Sequence, residues 1–243
     1  MGAVCKYPIA IQPDDSMTVW SSVRFPRAGE RTCVIRYQPR LAKYLDYFIG
    51  HECGHIDRFY SACSEDRVLP AIRSDSLQTL AAQVKAEIPR LLANMPVARH
   101  NAFLDFLCTS LIRQVTNTPA DCRIEVWMSK TLPGLQDVQG AALRELYGTF
   151  LQCLSPRVQQ VTPSSIYEWS NATNYPLVKT FSQLLKEPAL LTPYLEAGFE
   201  ELGERLGLHL AAADQGYLDD RRIADAWADE VGLRGCYEWR PLD

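Results

Sequence analysis

Residues 44–60, YLDYFIGHECGHIDRFY, decide how the rest of the chain is read. The run has no proline and keeps a helical spacing of apolar residues, so it is a helix. Within it, His51 and His55 stand four apart with Glu52 beside the first, the H-E-x-x-H spacing of zinc hydrolases. Placing 41–60 on a helix at about 100° per residue gathers Leu41, Tyr44, Leu45, Phe48, Ile49, Ile56 and Phe59 on one side. Lys43, Asp46, Gly50, Cys53, Gly54 and Asp57 fall on the other. His51, Glu52 and His55 lie on the apolar side, with Glu52 near its centre. A glutamate there is costly unless something pairs with it. Two imidazoles one helical turn apart reach a single ion, and the glutamate beside the first projects next to that ion, where it polarises a water.

Working outward, residues before Pro39 read as extended. TVW (18–20), SSVRF (21–25) and RTCVIRYQ (31–38) are rich in strand formers, with Pro26 and Gly29 as turn signals. The remainder is mostly helical. A stretch over 74–95 has Ser74 or Asp75 as its cap and Pro89 as an interruption, and a second covers 97–115. Thr118-Pro119 starts a new helix that stops before Pro133-Gly134, and 135–154 forms another. Residues 155–175 are rich in Ser, Thr, Asn and Pro and read as loop or linker. Helices follow over 176–188, 190–212 and 218–231, and CYEWRPLD reads as an exposed tail.

The fold class expected is α+β and mostly helical. A small antiparallel or mixed N-terminal sheet packs on the His51–His55 helix, and a helical part follows. The division expected is a domain over 1–155, a linker over 156–175 and a helical region over 176–243, which either stands apart or shares the first core.

The chain of 243 residues is 47% hydrophobic, enough to bury a core, and carries a net charge of −4 with no basic stripe. That composition argues against nucleic acid as a partner. The apolar runs fall far short of a membrane span. Eight cysteines occur without a C-x-x-C pair, and MGAVCKYPIAIQPDD lacks the apolar core of a signal peptide. Mostly buried, reduced thiols in a cytoplasmic protein are therefore expected.

A hydrolytic zinc site needs a third protein ligand and an open position for water. The extended H-E-x-x-H-x-x-G-x-x-H pattern is absent, since Arg58 and Ser61 stand where it has Gly and His. His100 and His209 lack partner motifs. Glu125, flanked by Ile124, Val126 and Trp127, is the first choice. Asp121 lies one turn earlier on the same face, as an acceptor for a histidine N–H or an alternative ligand. Glu145 and Glu168 are further alternatives. A plain salt bridge of Glu125 with Arg123 or Lys130 is the bland possibility.

Phe48–Ile56 resembles the active helix of HExxH zinc metallopeptidases of the gluzincin type, in which a glutamate from a later helix completes the site. Asn117-x-x-x-Asp121-x-Arg123-Ile124-Glu125, followed by Pro133-Gly134, is similar to a segment of predicted metallopeptidases associated with von Willebrand A domains. The order of RTCVIRYQ before the active helix also resembles ImmA/IrrE-type intracellular proteases. These resemblances cover about residues 30–135. They imply zinc on His51, His55 and Glu125, Glu52 as general base, and a protein or peptide as substrate. They also imply an oxyanion donor, for which Tyr147 or an arginine is the candidate, and an edge strand that aligns substrate, for which VIRYQ is the candidate. The alternative is a non-catalytic helical interaction protein with a structural or degenerate metal site.

Overall fold

The computed structural model describes residues 7–84, 87, 96–211 and 216–242. A three-stranded mixed sheet opens the chain: β1 (Ile9–Pro13), β2 (Ser21–Arg24) and β3 (Cys33–Tyr37). The strand order is β1-β3-β2. β1 runs parallel to β3 with Ile11 opposite Ile35, and β2 runs antiparallel to it with Val23 opposite Ile35. VIRYQ therefore lies on the central strand, paired on both sides, and cannot take the edge-strand part expected of it. The sheet's edges are β1 and β2.

Pro39 opens a 3-10 turn, Pro39–Tyr44, which feeds α1 (Leu45–Ser61). Proline suits a first helical turn, where its missing N–H has no partner to lose. Cys33 and Ile35 of β3 are fully buried against Ile56, Phe59 and Tyr60 of α1, with Val23 and Phe25 packed beside them. Ring stacking of Phe25 on Phe59, 4.2 Å between centroids, pins the strand to the helix.

After α1 come β4 (Val68–Ile72), α2 (Ser76–Gln83), α3 (His100–Thr131), α4 (Gln136–Cys153), α5 (Pro156–Val161), α6 (Ser164–Leu185), α7 (Thr192–Glu196), α8 (Glu200–Leu210), α9 (Tyr217–Glu230) and β5 (Tyr237–Pro241). The expected α+β, mostly helical class holds. Asp75 takes the position before α2 without capping it through its side chain, pairing with Arg73 instead. Pro89, expected as an interruption, lies outside the described residues.

α3 is one continuous helix with Pro119 inside it, in place of the break and restart expected at Thr118-Pro119. Burial on both flanks of the proline overrides its local preference. Val115 packs among Leu104, Leu111, Ile112, Ile166 and Trp227, while Ala120 packs with Ile124, Met128, Leu177 and Phe181. α3 thus passes through both large core clusters, and the clusters also hold α6, α8 and α9 residues.

Residues 156–175 are not a linker; they form α5 and the first half of the buried helix α6. The polar residues that suggested a loop are paired inside the helix packing. Asn171 donates to the Tyr167 carbonyl at 2.9 Å, and Ser170 donates to Gln114 of α3 at 2.9 Å. The C-terminal segment is likewise no exposed tail. β5 pairs antiparallel with β4, Trp239 opposite Pro70, and Tyr237 and Trp239 both donate to Asp225 of α9. Among the described residues no helix is long and apolar enough to cross a membrane. The described cysteines are free, and Cys33, Cys108, Cys122 and Cys236 are buried.

Candidate metal centre

The site begins with two glycines. A Cβ at Gly50 would meet Met128 Cε at 2.9 Å and Leu135 Cδ1 at 3.0 Å; one at Gly54 would meet Ile124 Cγ2 at 2.7 Å. The helical wheel put both glycines on the polar side of α1, yet both are buried, because this side lies directly on α3. As α1 advances from Gly50 to Gly54, its neighbours on α3 step back from Met128 to Ile124, so the helices run in opposite directions. Small residues one turn apart let the two backbones approach closely, as wherever helices pack through glycine.

That approach brings three atoms together. His51 Nε2 and His55 Nε2 are 3.2 Å apart, and Asp121 Oδ1 stands 3.3 Å from the first and 3.1 Å from the second. Ligands on a tetrahedral zinc, at bonds of about 2.0–2.1 Å, are separated by about 3.3–3.4 Å. The triangle therefore fits one face of a zinc tetrahedron, leaving the fourth position to a water or substrate. His51, His55 and Asp121 form the potential metal-binding group among the described residues. Their side chains keep 13, 15 and 20% of their exposure, so the group is largely enclosed. Asn117, one turn before Asp121, donates to both of its carboxylate oxygens at 3.0 and 2.9 Å and fixes how it faces the histidines.

The two candidate carboxylates exchange the parts expected of them. Glu125 does not join the triangle; its Oε1 lies 2.9 Å from Nδ1 of His51, on the far side of the ring. It is almost fully buried, and Tyr47 Oη donates to the same oxygen at 2.7 Å. Gln139 of α4 donates to Oε2 at 2.7 Å and to the Glu125 carbonyl at 3.0 Å. A carboxylate with three donors around it accepts the Nδ1 proton of His51, which turns the other ring nitrogen toward Asp121. Arg123, the partner a plain salt bridge of Glu125 would use, lies against Asp219 and Asp220 of α9.

The electrostatics of the group follow from this packing. Burial alone would depress the His51 imidazole, but the Asp121 and Glu125 carboxylates outweigh it and hold its pKa well above the ordinary histidine value. Burial would raise Asp121, but hydrogen bonds from both histidines drive it far below the usual carboxylate range. Negative charge around His51 thus favours a cation at this point, whether a proton or a metal ion. Burial, reinforced by the adjacent Glu125, pushes the Tyr47 phenol well above its ordinary value, so it remains a donor.

Glu52, next to His51 on α1, reaches to the sheet. It is 4% exposed, and Ser21 of β2 donates to its Oε1 at 2.6 Å. The remaining expectations fall elsewhere. Tyr147, the oxyanion candidate, donates to the Leu190 carbonyl at 2.9 Å and packs in the core around Phe181, so it has no part in the site. Glu145 pairs with Lys43 and Tyr44, and Glu168 is exposed. His100 and His209 are not in the cluster. Sequence reasoning gave no role to Asn117, Tyr47, Gln139 or Ser21. For Asn117 the signal was its spacing from Asp121, and for Tyr47 its spacing from His51, each one helical turn.

No family model matches this chain, and no curated protein or solved structure matches it either.

Proposed function

We propose that the chain is a zinc-dependent hydrolase acting on peptide bonds, with His51, His55 and Asp121 holding the ion. The observation that carries this reading is the triangle of Nε2, Nε2 and Oδ1 atoms, with edges of 3.1 to 3.3 Å. The H-E-x-x-H spacing and the resemblance of its helix to metallopeptidases supply the reaction class and the peptide substrate. When bound, zinc acts as a Lewis acid on a carbonyl and lowers the pKa of a water it holds toward about 7.

The protein's own residues do the rest. Glu125 keeps the His51 proton on Nδ1, so Nε2 offers its lone pair to the ion. Asn117 holds Asp121 in place. Glu52 accepts a proton from the attacking water and returns it to the leaving amine, as a general base and then a general acid. The test is elemental analysis and cleavage of fluorescein-labelled casein and of a proteome-derived peptide mixture. One zinc per chain is expected, with cleavage that Glu52→Gln abolishes while leaving the zinc. Cleavage that survives Glu52→Gln refutes the mechanism.

A second reading, a non-catalytic protein with a structural ion, has one observation in its favour. The three ligand side chains are largely buried, as in a closed structural site. It predicts that chelation lowers the melting temperature of a protein that cleaves neither substrate.

A further inference from the structure

We infer that Ser21, on the edge strand β2, is the positioning residue that aims Glu52. The inference rests on the hydrolytic reading of the metal site and adds a part that the H-E-x-x-H spacing does not supply. Successive side chains of a strand point to opposite faces, and Val23 of β2 packs against the cluster of Cys33, Ile35, Ile56 and Phe59. Ser21, two residues earlier, faces the same way, in a row where an apolar side chain would be expected. Its hydroxyl meets Glu52 Oε1 at 2.6 Å, in the short range of a hydroxyl bound to a charged oxygen.

Strand pairing fixes the donor. Ser21 sits opposite Tyr37 in the ladder with β3, so its Cα moves only with the sheet. A glutamate side chain has several rotatable bonds, and an anchor on one oxygen removes most of that freedom. With Oε1 held by Ser21, Oε2 is the oxygen assigned to the proton. The strand that carries Ser21 is also the sheet edge lying on α1, so the base is tied to the strand rather than to its own helix alone.

The test uses the full chain loaded with zinc, and in parallel with cobalt(II), whose visible absorption reports the metal's surroundings. Ser21→Ala is expected to keep one metal per chain and to lower the melting temperature by no more than a few degrees, since it removes one donor from a buried carboxylate oxygen. Its kcat on fluorescein-labelled casein falls on the order of 10- to 100-fold, the cost of misplacing a catalytic group by about 1 Å, with KM within about twofold. Its cobalt spectrum shifts in the direction seen for Glu52→Gln, and Ser21→Thr, which restores a hydroxyl, recovers both rate and spectrum. A Ser21→Ala protein with wild-type kcat and spectrum overturns the inference, as does one whose loss is explained by a fallen melting temperature that Ser21→Thr fails to restore. If wild-type protein binds zinc but cleaves nothing, the hydrolytic reading fails. The cobalt spectra then decide Ser21 alone, a shift shared with Glu52→Gln supporting its hold on Glu52 and an unchanged spectrum refuting it.

Discussion

Gly54→Ala probes the helix contact on which the proposed metal triangle depends. The new methyl would lie 2.7 Å from Ile124 Cγ2 and 3.2 Å from Cγ1. Carbon atoms pack at about 3.5–4.0 Å, so α1 and α3 must part by about 1 Å. Ile124 is fully buried and branched at Cβ, and it sits one turn from Asp121, so it has little room to rotate away. Overpacking of this kind costs about 1–3 kcal/mol, and alanine in place of a helical glycine returns about 1 kcal/mol. The net loss is about 1 kcal/mol, or roughly 2–4 °C in melting temperature for a chain of this size. The larger effect falls on the metal. A parting of about 1 Å is half a zinc bond, so zinc affinity, measured by competition with a chromogenic chelator, drops by about tenfold or more. Gly50→Ala is the internal control. Its clashes are with Met128 Cε and Leu135 Cδ1, the free ends of flexible side chains that can swing aside, so zinc affinity stays near wild type. Equal zinc affinity in Gly54→Ala and wild type would refute the idea that glycine contact sets the triangle.

Exchanging the two carboxylates gives a second expectation. Asp121→Asn loses stoichiometric zinc, whereas Glu125→Gln still binds it, about 10- to 100-fold more weakly; the reverse order in an elemental assay would restore Glu125 as the ligand. Tyr147→Phe leaves casein cleavage unchanged, because its hydroxyl serves the Leu190 carbonyl; a large fall in kcat would contradict that placement. Asp220→Ala leaves Arg58 without the bidentate partner it holds at 2.6 Å in a nearly closed setting, and costs about 3–5 kcal/mol in urea unfolding. Cys108 gives a pH dependence. Burial pushes its thiol up to about 11, whereas a thiol in the unfolded chain ionises near about 8.5. Above that lower value the unfolded chain binds fewer protons than the native one, so stability present at neutral pH is lost as the pH climbs toward 11. Cys108→Ala flattens this slope in melting curves taken between pH 8 and 10.5, and an unaltered slope would rule the thiol out as its source.

The helix 45–61 and its two histidines were legible because their information is local: a period, a spacing and a charge on an apolar arc. The parts of Asp121 and Glu125 were not. Both lie one turn apart on the same face of α3, and which of them meets Nε2 depends on the stagger of α1 against α3. That stagger is set by Gly50 and Gly54 meeting Met128 and Ile124, a tertiary fact with no trace in either helix alone. Residues 156–175 misled for a related reason. Ser, Thr and Asn favour loops when their side chains compete for backbone groups, but here Ser170, Asn171 and Asn174 find partners inside the helix packing. Pro119 shows burial outweighing a strong local breaker. The strands β4 and β5 were missed, and β1 was not singled out within the extended N-terminal stretch, because each is five residues long with a proline inside it or at its end, and proline counts against a strand when pairing is unknown.

The pairing of β4 with β5 joins segments from distant parts of the sequence, and this orders the assembly of the molecule. The residues of the metal triangle, at 51, 55 and 121, are all synthesised while β4 still waits for its partner strand. Contacts between such remote segments form late, since the intervening chain must be closed first. During that interval VLPAI presents an unpaired strand edge, the kind that joins neighbouring chains. Pro70 stands at the middle of β4 and removes a backbone donor that a stray strand would need. The same proline that obscures this strand in the sequence thus blunts its edge against stray pairing until β5 arrives.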